Sequence, residues 1–418
     1  MSKEENKIVP QLRFPEFEKD GDWETETVND LSKTVTAGGT PSTNKEEYWG
    51  GDIRWMNSGE LNLKIVKEVV GRITKEGLKN SSTKIIPENS VLIGLAGQGK
   101  TRGTVAINKV RLCTNQSIAS IYPNEDVFDS EFLYHNLDNR YNELRELSAG
   151  GEGRGGLNLK IIKEIRIPIP PKKEEQQKIA ACLSSLDEVI IAETEKLDLL
   201  QHHKKGLLQQ LFPTEGETQP KFRFPEFKED GDWVQEEIGK LFKFKQGVQV
   251  PVDNQYPIKE DGMVRFIRII DITGNSEPPR YIINPGKDHI ITKEDLFMIR
   301  YGTPGAISIG FDGVIANNLF RLIWKSNNSL NSLFWFYAFQ KIEKKVFSLS
   351  GSSSMPAISF STLNNLGITY PKNLKEQQKI AACLSAADEL IEAQAQKIEA
   401  LQAHKKGLLQ QLFPNVKE

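Results

Sequence analysis

Cysteine is scarce in this sequence: three thiols in 418 residues, at Cys113, Cys182 and Cys383. An odd count without metal-ligand spacing argues against a disulfide framework and points to a reducing, cytoplasmic compartment. Histidine is nearly as rare, five in all, and none clusters with cysteine or carboxylates at ligand spacing, so no metal site is expected. No apolar run reaches membrane-spanning length, and the opening "MSKEENKIVPQ" lacks the apolar stretch of a signal peptide. An excess of positive charge is missing too: 54 Lys and Arg stand against 56 Asp and Glu, a net charge of −2. A nucleic-acid binder often carries a basic balance. Here any duplex contact has to come from local basic surfaces or from a partner that supplies more of them. The composition that remains, 38% hydrophobic and 26% charged, is that of a globular chain long enough for two to four domains.

What the sequence does have is repetition. "RFPEFEKDGDW" at 13–23 returns as "RFPEFKEDGDW" at 223–233. "EQQKIAACLS" at 175–184 and "HKKGLLQQLFP" at 203–213 both return unchanged 201 residues later. The stretches between these markers barely resemble each other. Two copies of one long unit imply internal pseudo-twofold symmetry rather than a solenoid of many short repeats.

The repeated elements read as long helices. Ile179, Leu183, Leu186, Ile190, Leu197, Leu200, Leu207 and Leu211 follow an alternating 4,3 spacing, and Ile380, Leu384, Ala387, Ile391, Ile398, Leu401, Leu408 and Leu412 repeat it. A 3.5-residue apolar period is a coiled-coil seam. Pro170, Pro171 and Pro371 precede the helices and Pro213 and Pro414 end them, as helix boundaries require. Each helix could pack on its own domain; the matching seams favour packing against each other. Cys182 and Cys383, at equivalent positions, are expected to pack as small apolar residues, and His203 and His404 as helix-surface residues.

The variable regions read as short strands and turns, "SVLIGLAG", "TVAIN" and "RLCTNQSIASIYP" in the first and "RFIRIIDI" and "GAISIGFDGVIANNLFRLIW" in the second, with helical pieces at 130–147 and 331–347. Each is an α+β globular domain. Gly94-Leu-Ala-Gly-Gln-Gly99-Lys100-Thr101 matches the phosphate-loop pattern, but a working loop opens a helix whose N-terminal amides hold the phosphates. "RGTVAINKV" follows instead, in strand vocabulary. A P-loop nucleotide-binding protein is therefore disfavoured, and "GQGKTRG" reads better as a glycine-spaced loop presenting Lys100, Thr101 and Arg102 to DNA, or as an ordinary hairpin turn.

Taken together, the "RFPEF…GDW" openings, "GGTPST…YWGGDIRWMNSGEL", "GQGKTRG" and the two "EQQKIAACLS…HKKGLLQQLFP" helices make the chain, from about residue 13 to 414, resemble the specificity (S) subunits of Type I restriction–modification systems. The resemblance implies two target-recognition domains alternating with two conserved-region helices that pack as an antiparallel coiled-coil spacer. Each domain would read one half of a bipartite, asymmetric duplex target in the major groove. The S subunit would not itself be catalytic. Two methyltransferase (M) subunits would bind it, use S-adenosylmethionine and methylate adenine, and two restriction (R) subunits would add ATP-driven translocation and cleavage. No cofactor is expected on this chain. Neither an N-P-P-[FY] adenine-methylation signature nor an F-x-G-x-G loop stands in it, in keeping with that division. The corresponding boundaries are a flexible N-terminus at 1–12, recognition domain at 13–171, helix at 172–213, linker at 214–222, recognition domain at 223–371, helix at 372–414 and tail at 415–418. The other class of function this pattern allows is a coiled-coil scaffold with two protein-binding domains.

Helices of about 37 residues span roughly 55 Å, or on the order of 16 base pairs of duplex, which suits half-sites about one turn apart. Because the domains differ in sequence, the half-sites should differ. Candidate DNA contacts follow from position and chemistry. In the first domain they are Thr40, Ser42, Thr43, Tyr48, Trp49, Asn57, Ser58, Lys100, Thr101, Arg102, Asn115, Gln116 and Arg154. In the second they are Gln246, Gln249, Arg268, Tyr301, Thr303, Asn317, Asn318, Ser352, Ser353 and Ser354. Amides pair with adenine edges, arginine with guanine, and hydroxyls and lysine with phosphates. Trp55 serves equally well as core. Partner contacts are expected along Gln176–Leu211 and Gln377–Leu412.

Overall fold

The computed structural model describes residues 8–97, 101–148, 156–274, 277–326, 331–351 and 356–414. Two helices of 39 residues each, Lys173–Leu211 and Leu374–Leu412, are its longest elements. The chain divides into two compact units, residues 1–194 with 396–418, and residues 195–395, so each unit contains half of each long helix. Among the described residues no helix is long and apolar enough to cross a membrane.

Inside each unit the two helix halves run antiparallel. In the first, Asp187 and Glu193 pair with Lys405 and Lys397, numbers rising on one helix as they fall on the other. In the second, Asp388 pairs with Lys204, the same interaction carried forward by the 201-residue repeat. All sixteen seam residues, Ile179 through Leu412, are buried or half-buried. The outer ends of the stripe also serve the domains. Ile179, Leu183 and Leu412 join the first domain's core beside Leu409 and Phe413, and Leu211, Ile380 and Leu384 join the second's. Packing on the domain and packing on the other helix thus occupy different stretches of one stripe.

The "RFPEF…GDW" segment fastens the start of each domain to its helix. The Arg13 guanidinium grips the Glu175 carboxylate through two bonds of 2.7 and 2.8 Å, its Nη1 donates to the Gly21 carbonyl at 2.6 Å, and the Trp23 indole donates to the same carboxylate at 3.3 Å. Arg223, Gly231, Trp233 and Glu376 repeat the arrangement. Hydrogen bonding to the carboxylate raises the pKa of each guanidinium above its ordinary value, against the opposing effect of burial. The main chain repeats as well: Leu12 N donates to Gln411 O and Phe222 N to Gln210 O. Residues 8–12 are thereby tied down, Ile8 also bridging to Trp23.

In the first domain a five-stranded sheet has the order Val35–Ala37, Ile118–Ile121, Val91–Gly94, Val105–Asn108, Ile65–Val66, and a three-stranded sheet the order Arg72–Ile73, Trp49–Met56, Cys113–Thr114. The helix Ser130–Asn139 starts where the Asp129 carboxylate accepts from the amides of Glu131 and Phe132, a cap of the expected kind. It buries Phe132, Leu133 and Leu137 against the larger sheet. In the second domain two four-stranded sheets have the orders Phe242–Gln246, Leu319–Trp324, Leu296–Ile299, Ile307–Ser308, and Arg280–Ile283, Met263–Ile267, Gly313–Ile315, Ile290–Ile291. "RFIRIIDI" is not the single strand its β-branched content suggests. The strand stops at Ile267, and Ile269–Ile272 is a helical turn begun by Asp271, whose carboxylate accepts from the Arg268 amide at 2.8 Å.

One joint differs between the units. On the first domain His135, fully buried, meets Ser184 at 3.1 Å, and its Nδ1 stands 3.9 Å from Asp187; on the second, Tyr337 donates to Asp388 at 2.7 Å. Burial pushes the His135 pKa down to about 3, so the ring is neutral and its approach to Asp187 is no ion pair. The unfolded chain takes up this proton below about pH 6.5 while the folded chain refuses it, so stability drains away as pH falls from there toward 3. The expected slope is about 1.4 kcal/mol per pH unit. Denaturation midpoints of His135→Gln, compared with the parent between pH 7 and 5, should show the variant losing less. Equal losses would contradict this.

Candidate nucleic-acid interface

In each domain four chain segments are stitched together by main-chain hydrogen bonds, and the bonds correspond one for one. After the strand Val35–Ala37, Gly38 N donates to Ile118 O at 3.3 Å and Gly39 N to Thr114 O at 2.8 Å. After Phe242–Gln246, Gly247 N donates to Leu319 O and Val248 N to Ile315 O, both at 2.9 Å. The glycines are required by close approach: a Cβ on Gly38 would stand 2.1 Å from Thr114 O, and one on Gly247 2.2 Å from Ala316 O. A second segment follows the central strand. Asn57 N donates to the Glu60 carboxylate at 2.9 Å and Arg268 N to that of Asp271 at 2.8 Å. Asn115 N reaches Met56 O and Ala316 N reaches Ile267 O, which attaches the amide-bearing turns 115–117 and 316–318 as the third segment. The fourth is the loop after Val91–Gly94 or Leu296–Ile299, attached where Leu95 N donates to Ser117 O and Arg300 N to Asn318 O. Asn57 and Arg268, Asn115 and Ala316, Gln116 and Asn317, Ser117 and Asn318, and Leu95 and Arg300 are therefore equivalent positions.

The candidates fall on these segments to different degrees. Thr40 donates to the Gln116 side-chain carbonyl at 2.5 Å. Ser42 and Thr43 are exposed beside Trp49, whose indole donates to Ser42 O at 3.1 Å. Trp49 meets Trp55 edge-on at 5.0 Å, and Trp55 donates to Gly39 O. Asn57 spends its carbonyl oxygen on the Gly59 amide and its NH2 on Glu60, beside the half-buried Ser58. The Asn115 side chain accepts from Ser117 N, while Gln116 is exposed. Tyr48 is corrected from surface candidate to core: it is 7% exposed and covered by the turn at Gly77, where even a Cβ would sit 2.5 Å from Tyr48 O.

Thr101 and Arg102 are half-buried, and Arg102 Nη1 lies 3.4 Å from Ser148 Oγ. The first element after Thr101 is the strand Val105–Asn108, antiparallel to Val91–Gly94. The phosphate-loop match thus falls between two antiparallel strands, and among the described residues no helix begins at its Thr101 end. Lys100, Arg154, Ser352, Ser353 and Ser354 lie outside the described residues.

In the second domain Gln246 donates to Asn317 O at 2.7 Å and accepts from Arg300 Nη1 at 2.5 Å. Gln249 and Thr303 are exposed, Tyr301 is half-buried, and the buried Asn318 side-chain oxygen has no partner. Arg268 is committed to Asp271 and Glu277, each at 3.0 Å. Arg300, which sequence reasoning passed over for its neighbour Tyr301, is at the centre of this group.

Two α+β domains of one design, each completed by antiparallel halves of the same two helices and each carrying a loop cluster of amides, hydroxyls and arginine, define a duplicated recognition protein. The family model for the Type I restriction modification DNA specificity domain matches residues 20–202 and again 230–403. The chain belongs to that family: it is the DNA-recognition, non-catalytic specificity subunit of a Type I restriction–modification system. It is 30% identical over 260 residues to the MjaIX specificity subunit of Methanocaldococcus jannaschii, covering 59% of this chain and 57% of that one. It is 27% identical over 438 residues to the MjaVIII specificity subunit of the same organism, covering 98% and 96%. The fold matches the crystal structure of the S subunit from M. genitalium with a TM-score of 0.64 at 17% identity, over 98% of this chain and all of that one.

Proposed function

We propose that the domain at 13–171 reads one half of a bipartite, asymmetric duplex target and the domain at 223–371 reads the other. The helices at 172–213 and 372–414 act as spacer and as docking surface for two adenine-methyltransferase subunits, to which two restriction subunits add. The observation that carries this reading is the loop cluster itself. The same main-chain bonds build it twice, yet the side chains on it differ: Thr40, Asn57, Asn115 and Gln116 in one domain, and Gln249, Arg268, Ala316 and Asn317 at the same places in the other. An identical frame with different donors and acceptors suits two different half-sites read in the same manner. The outer helix faces repeat in sequence, which suits two copies of one partner. Base-modification sequencing of cells expressing this chain with its methyltransferase subunit tests the proposal. An interrupted, asymmetric motif bearing methyladenine in both halves, and lost on deletion of the chain, is the expected result. Absence of any chain-dependent methylation together with absence of salt-sensitive duplex binding would instead fit a protein-binding scaffold.

A further inference from the structure

We infer that Arg300 reads a guanine in the half-site addressed by the second domain, a contact with no counterpart in the first; the inference rests on the DNA-reading function proposed above. Its main chain is held on both sides: Arg300 N donates to Asn318 O at 2.9 Å, and Ile358 N donates to Arg300 O at 3.1 Å. The guanidinium carbon lies 4.4 Å from the centroid of the Phe360 ring and 5.1 Å from that of Tyr301, contacts that fix the plane of the fork. Nη1 donates one hydrogen to Gln246, which is itself oriented by its bond to Asn317 O. Nε makes a long contact, 3.4 Å, to Ile358 O.

Arg223, Arg265, Arg268 and Arg321 in the same unit each have a carboxylate within ion-pair distance, while Arg280, like Arg300, has none among the described residues. Among the described residues a half-buried guanidinium held by rings and neutral amides still has unused donors, the second hydrogen of Nη1 and both of Nη2. Nη2 offers one hydrogen on the edge it shares with Nη1 and one on the edge it shares with Nε, and a planar fork of this kind meets O6 and N7 of guanine together. Its neighbours are Gln246, Asn317 and Asn318, groups suited to base edges rather than to phosphates. At the equivalent position the first domain has Leu95, apolar and 7% exposed, which offers nothing to a polar base edge. The two half-sites should differ at this position for that reason.

The test uses the full chain with its methyltransferase subunits and compares methylated motifs for the parent, Arg300→Lys and Arg300→Ala. Lysine keeps the charge and most of the stem, so it guards against a loss that is only structural. The expected result is an unchanged first half and relaxation at one guanine of the second half, discrimination there falling roughly 10- to 100-fold in both variants. An unchanged motif with uniformly weaker methylation would make Arg300 a phosphate contact and overturn the inference. So would collapse of the whole second half in both variants, which would make it structural. A parent chain that directs no methylation would defeat the underlying reading, and the inference with it.

Discussion

Glu376→Ala should destabilise the second unit by about 3–5 kcal/mol, the range for breaking a buried ion pair from one side. Glu376 is 1% exposed, and its carboxylate is the shared acceptor for both arms of Arg223 and for the Trp233 indole. Alanine leaves a guanidinium whose side chain is 7% exposed without its counter-charge and a buried N–H without an acceptor. It also releases the "RFPEF…GDW" segment from the helix it fastens. Glu175→Ala should do the same to the first unit through Arg13 and Trp23. The exposed pair between Lys379 and Glu226, its side chains 53% and 47% exposed, is the natural control, since surface pairs contribute little. Urea denaturation followed by tryptophan fluorescence should show an early transition in each glutamate variant and none in Glu226→Ala. A Glu376→Ala midpoint matching the parent's would show that the pair does not hold the joint.

A chain ending after residue 213 should form a homodimer. The first unit is finished by the far end of the second helix: Leu409, Leu412 and Phe413 enter its core, Gln411 accepts from Leu12, and Lys405 pairs with Asp187. A truncated chain lacks all of these and leaves Ile179, Leu183 and Phe132 uncovered. Residues 203–213 are identical to 404–414, so Lys204, Leu208, Gln210, Leu211 and Phe212 of a second copy offer the same groups at the same spacing. Two truncated chains can then complete each other, each lending its helix end, in an isologous pair. Sedimentation should find a dimer that Phe212→Ala weakens, and its target should be symmetric because both domains are the same. A stable, folded monomer would show that the first unit does not need the helix end.

The helices and their seam were legible because the apolar stripe, the flanking prolines and the 201-residue repeat all agree. Strands rich in Val and Ile were legible for the same local reason. Where local vocabulary misled, one side chain had intervened. Asp271 capped a turn inside "RFIRIIDI" and ended a strand that β-branched residues would otherwise have extended. Tyr48 stands in a run of polar loop residues, yet the turn at Gly77 closes over it. At the candidate site the amides Asn115, Gln116, Asn317 and Asn318 were visible as residues, but the matching of Gln116 with Asn317, and of Asn115 with Ala316, rests on main-chain bonds between segments far apart in sequence. Arg300 was hidden for a related reason. The ring that orients it, Phe360, is sixty positions away, and only the folded domain brings the two together.

The central claim, that each domain reads its own half of the target, is tested most directly by exchanging residues 13–170 for the corresponding domain of a specificity subunit with a different target. The chimaera is then sequenced for methyladenine alongside the parent. The account predicts that one half of the motif changes to that of the donor while the half read by residues 223–371 stays as it was. A change in both halves, or in neither, would contradict it.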